Sequence, residues 1–129
     1  RAALQAMAAR HAAERLTDDD HQRLEAILAR ASRTYDLTEF SRLDAAFHDE
    51  IVAIARHRRL SRIWIDLRAQ MELWLARLHR RRDRARHDVR QATLASHRRM
   101  LETLATRRPE EAAALMERHC SSWWEHLPS

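Results

Sequence analysis

The chain has 129 residues with a single cysteine, no glycine and two prolines, which excludes a disulfide framework, a zinc-finger spacing and most of the turn chemistry that sheets require. Ala, Leu, Arg and Glu are abundant and all favour helix, so the fold class is all-α. The formal net charge of +5 rests on arginine alone and says little about nucleic acid, while no apolar run approaches the ~20 residues of a membrane span.

Periodicity predicts about six helices in an antiparallel bundle, with residues 1–129 forming one domain. The first helix is expected from about Ala2 to Leu16, with Leu4, Met7, Ala8, His11 and Ala12 on one stripe and His11 read as a core residue. Thr17 caps a second helix, whose opening acids Asp18 to Asp20 suit the positive end of its dipole and whose apolar face is Leu24, Ile27 and Leu28. Asp36 or Thr38 caps the third helix, which continues to about Arg56. Arg56-His57-Arg58-Arg59 then makes a tight corner.

A long fourth helix keeps Leu60, Ile63, Trp64, Leu67, Met71, Trp74, Leu75 and Leu78 in phase up to the basic run His79-Arg80-Arg81-Arg82. Both tryptophans are read as core. The fifth helix spans about His87 to Thr106, and Pro109-Glu110-Glu111 announces the sixth.

The third helix carries Asp44-Ala45-Ala46-Phe47-His48, a carboxylate and an imidazole four residues apart and so on one face. Leu37, Phe40, Ile51, Val52 and Ala55 lie three, four or seven residues from one or the other, which makes that face the inner one. An ionised Asp directed inward needs a partner, and a metal ion would be one. His97 repeats the pattern among Leu94, Leu101 and Leu104, and His119 repeats it among Ala112, Leu115, Met116 and Trp123. Singly, each histidine reads as structural. Together with Asp44 they form a donor set suited to zinc or nickel if their helices converge, which spacing leaves open.

Leu37-Thr38-Glu39-Phe40 through Asp44-Ala45-Ala46-Phe47-His48, then His97-Arg98-Arg99-Met100-Leu101, then Pro109-Glu110-Glu111-Ala112 through Met116-Glu117-Arg118-His119, resembles the FCD effector-binding domain of FadR-type GntR transcriptional regulators. The opening Arg1-Ala2-Ala3-Leu4-Gln5 resembles the start of that domain, so the likeness covers nearly the whole chain. It implies that Asp44, His48, His97 and His119 hold one divalent metal ion, that the domain is a homodimer, and that DNA is met only through an N-terminal winged helix-turn-helix for which this chain shows no pattern. The chain departs from the family pattern at Gln5, where an acid is usual, at His11, at His57 and at Arg107-Arg108.

A divalent ion with one carboxylate keeps a charge of about +1, which suits a small chelating carboxylate effector. Arg1, Arg68 and Arg90 are candidates for its distal carboxylate; Arg90 lies two turns before His97, and Arg1 matches an arginine common at the start of the family's domain. The reading is therefore a cytoplasmic sensor with no membrane contact, and not an enzyme. A metal-dependent hydrolase is the alternative, although neither a paired E-x-x-H nor an H-E-x-x-H motif is present. So is a purely structural dimerisation bundle. Cys120 follows His119 directly and so points elsewhere on its helix.

Overall fold

The computed structural model describes residues 1–84 and 89–125. They form six helices: α1 (Ala2–Arg15), α2 (Asp18–Arg33), α3 (Leu37–Ala55), α4 (Arg58–Arg84), α5 (Val89–Ala105) and α6 (Pro109–Glu125). The fold is an all-α bundle, without a strand among the described residues. The expected start of the fifth helix at His87, and the side chains of Met71, Leu75, Leu78, His79, Arg82 and Trp123, lie outside those described.

Local chemistry sets each boundary. Thr17 and Asp20 close a reciprocal box at the start of α2, Thr17 Oγ1 accepting from Asp20 N at 3.1 Å and Asp20 Oδ2 accepting from Thr17 N at 2.9 Å. Of the two residues expected to cap α3, Asp36 does so, its Oδ1 accepting from Thr38 N at 2.8 Å and Glu39 N at 3.2 Å. In the arginine corner His57 starts α4, its Nδ1 accepting from Leu60 N at 3.2 Å. Pro109 opens α6, where a missing N–H costs nothing.

Without glycine, the two left-handed turns fall on Arg56 (φ 48°) and Arg107 (φ 54°), each at a cost of roughly 1–2 kcal/mol. Both side chains offset it by reaching carbonyls. Arg56 bonds the Arg15 carbonyl at 3.2 Å and both oxygens of the fully buried Asp20, while Arg107 bonds the Leu16 carbonyl at 2.6 Å. Arg15 in turn donates to the carbonyls of Ala55 and Arg56, so the α1–α2, α3–α4 and α5–α6 connections are tied at one end of the bundle. The Asp20 carboxylate, expected to serve only the helix dipole, also receives Arg23 there.

Helix α1 packs chiefly on α6 and α3. Its buried face is Gln5, Ala6, Ala8, Ala9, Ala12 and Ala13, rotated from the expected stripe: Met7 is 43% exposed, and His11 is half-buried with its ring 5.3 Å from that of His57. Four alanines at 0% exposure let the helix axes approach closely, and that close approach decides the orientation over the scattered larger side chains. On α4, Leu60 and Trp64 are buried as expected, but Ile63 is 51% exposed and Trp74 only half-buried. No described helix is long and apolar enough to cross a membrane.

Candidate metal centre

Phe40, Phe47, Ile51, Ile54 and Ala55 pull the inner face of α3 into the core, and Asp44 and His48 go with it, at 4% and 0% exposure. Leu94, Leu101 and Leu104 do the same for His97 on α5, which is 3% exposed. Ala112, Met116 and Cys120 turn α6 so that His119 is largely enclosed. The three helices do converge. One nitrogen from each of His48, His97 and His119 lies within 4.8 Å of the others, and Asp44 Oδ1 stands 3.4 Å from His48 Nε2 and 3.2 Å from His97 Nε2.

Donors held about 2.1 Å from one ion stand about 3.0 Å apart across an octahedral edge and about 3.4 Å across a tetrahedral one. Both Asp44 distances fall in that range, and the three imidazole nitrogens, within 4.8 Å of one another, could hold an ion between them. The ring atoms that face away are held. His48 Nδ1 lies 3.2 Å from Gln5 Oε1, and His119 Nδ1 lies 2.7 Å from Ser96 Oγ. Phe47 stacks on His97 at 4.2 Å between centroids and 12° between planes, fixing that ring by packing. Burial, reinforced by the neighbouring His97 and His48, holds His119 well below the ordinary imidazole range, so a lone pair is kept for coordination at neutral pH.

Comparison with protein-family models gives a match to the FCD domain over residues 1–122. The chain belongs to the FCD family. No curated relative matches it. FCD domains are the effector-sensing domains of GntR-type transcriptional regulators, binding modules and not catalysts.

In this FCD domain the arginines singled out from the sequence stand in three different places. Arg1 lies over the Trp74 ring, 4.9 Å from its centroid. Arg68 donates to Asp49 at 2.8 Å, next to the indole N–H of Trp64 that donates to the same carboxylate at 2.6 Å. Arg90 donates to the Ser32 carbonyl at 3.1 Å and lies 4.3 Å from the centroid of Tyr35, at the α2–α3 connection. Cys120, 3% exposed, is outside the convergent donor group, and burial pushes its thiol up to about 12.

From the sequence Gln5 stood out only as a departure from the family pattern, its contact with His48 unforeseen, and Ser96 did not stand out at all. Ser96 precedes His97 and carried no signal. Gln5 did carry one, because it stands three, four and seven residues before Ala8, Ala9 and Ala12, in phase with the alanine face.

Proposed function

We propose that this FCD domain senses a small carboxylate metabolite through one divalent metal ion, zinc or nickel, held by Asp44, His48, His97 and His119, and relays occupancy to DNA binding by its regulator. The observation that carries the reading is the convergence of three imidazoles from three helices, with the Asp44 carboxylate beside two of them and the outward nitrogens of His48 and His119 engaged by Gln5 and Ser96. Such a set is a poor choice for a core that needs only to pack, since burying polar side chains costs free energy that apolar residues of equal volume would not.

A bound divalent ion would supply positive charge and open coordination positions; after the Asp44 carboxylate, a charge of about +1 remains and favours chelating anionic oxygen. Arg1, Arg68 and Arg90 are candidates for a distal carboxylate, each of them engaged elsewhere, Arg1 against Trp74, Arg68 by Asp49 and Arg90 by the Ser32 carbonyl. Homodimerisation in the cytoplasm belongs to the same reading and is supported by the apolar side chains that α4 leaves exposed, Ile65 at 68% and Leu73 at 54%.

Metal analysis of the purified protein is the direct test. The parent chain is expected to hold close to one divalent ion per chain after reconstitution, and His97→Ala to hold little. Full occupancy in the variant, or none in the parent, would overturn the assignment. Light scattering on the same samples tests the dimer, which a monomeric mass would refute.

A further inference from the structure

Gln5 is fully buried, the only polar side chain on the inner face of α1, where every other buried residue is alanine. Its Oε1 lies 3.2 Å from His48 Nδ1, and its Nε2 has no hydrogen-bond partner among the described residues. A half-satisfied amide is a costly occupant for a core position that an apolar side chain of the same length could fill. The position is therefore set by something other than packing.

We infer that Gln5 is a positioning residue that holds His48 as its Nδ1–H tautomer, and that its neutral amide keeps the metal-loaded centre positive enough to demand an anionic ligand. A neutral imidazole carries one N–H, and an amide oxygen can only accept. Seated on Nδ1, Oε1 favours the Nδ1–H tautomer, whose Nε2 lone pair is open to an ion, against the Asp44 carboxylate 3.4 Å from Nε2, which would accept from the other tautomer. The Ser96 hydroxyl at His119 Nδ1 cannot select in this way, because a hydroxyl both donates and accepts. A carboxylate in place of the amide would hold the same tautomer, but would strengthen the imidazole as a donor and cancel the residual positive charge. Gln5 thus orients the donor without neutralising the site.

The second half rests on the metal reading above; the first does not. Long-range proton–nitrogen NMR of the metal-free protein at alkaline pH reads the His48 tautomer, and competition with a chromophoric chelator reads zinc affinity. The parent is expected to show the Nδ1–H form. Gln5→Met, of similar length but without the acceptor, is expected to show mixed tautomers and to bind zinc about 10- to 100-fold more weakly. Gln5→Glu is expected to keep the Nδ1–H form, to bind zinc at least as tightly as the parent, and to bind oxalate, used as a chelating probe, more weakly when zinc-loaded.

An Nε2–H tautomer in the parent, or an unchanged tautomer in folded Gln5→Met, overturns the orienting role. Unchanged oxalate affinity in zinc-loaded Gln5→Glu overturns the charge argument. A parent that binds no zinc overturns the metal reading and the charge argument with it, while the tautomer spectrum still decides what Gln5 does to His48.

Discussion

Asp44 Oδ1 and His97 Nε2 stand 3.2 Å apart although α3 and α5 are not principal packing partners, α3 resting on α1, α2 and α4, and α5 on α2 and α6. The donors thus reach across a part of the bundle that backbone packing does not close. An ion held there would tie α3 directly to α5. Free zinc at ~100 times its dissociation constant should stabilise the fold by about 2.7 kcal/mol. For a domain of this size that is a rise in Tm of roughly 5–20 °C. Differential scanning calorimetry should find it in the parent and not in His97→Ala; a Tm indifferent to zinc in the parent would contradict the assignment.

Effector and metal should be coupled. If a carboxylate completes the coordination, metal must raise effector affinity and effector must raise metal affinity by the same factor, at least ~1–3 kcal/mol or about 5- to 150-fold. Calorimetric titration of a carboxylate from a thermal-shift screen into loaded and chelator-stripped protein measures this, with circular dichroism confirming that the stripped form is folded. Equal affinities in two folded samples would place the effector away from the metal.

Asp20 should mark the acid limit of the fold. Burial works against its carboxylate, but the Thr17 N–H and the Arg56 guanidinium more than compensate, and its pKa lies below the ordinary value. A folded pKa below the unfolded one means stability fully present above about pH 4 and lost as pH falls through the folded value. Asp20→Asn should lose about 1–3 kcal/mol at pH 7, toward the lower end because Arg56 is half exposed, and should flatten the acid slope. Urea titrations between pH 3 and 7 would show both effects.

Arg107 sets a backbone cost against side-chain bonds. Arg107→Gly removes the left-handed penalty but also the bonds to the Leu16 and Glu14 carbonyls, for a net loss of about 0.5–2 kcal/mol. Arg107→Ala loses the bonds and keeps the penalty, so it should be less stable than the glycine variant by about 1 kcal/mol. Denaturant midpoints give the order directly.

Cys120 should be inert in the native protein. With the thiol pushed up to about 12 and 3% of the residue exposed, almost no thiolate is present or reachable at pH 8. Reaction with a disulfide reagent should be slow and should accelerate sharply in denaturant; rapid labelling of folded protein would refute the burial of the thiol.

The helices and their caps were legible because their signals are local. Thr17, Asp36 and Pro109 act within a turn of where they stand, and the D-x-x-x-H spacing fixes Asp44 and His48 to one face whatever surrounds them. Convergence with His97 and His119 was not legible from spacing, because it depends on how three helices are rotated and crossed. The rotation of α1 was misread for a related reason. Leu4 and Met7 weigh more on a hydropathy scale than alanine does, yet close helix contact favours the smallest side chains, and that choice turned Gln5 inward and Met7 outward. Asp20 was read only as a charge near a dipole. Its burial under Arg56 depends on the α3–α4 corner folding back against the start of α2.

The inner face of α1 acts as a spacer. From Ala8 to Ala13 no buried side chain extends beyond a single methyl group, so the separation of this helix from α3 and α6 is set by methyl-to-backbone contact. Gln5 continues that face one turn earlier, and its reach to His48 depends on the same separation. A bulkier residue at Ala9 or Ala12 would push the helix outward and draw the amide away from the ring. Changes in ligand preference among related sequences should therefore also be sought along this alanine ladder, where a comparison confined to the donors would not look.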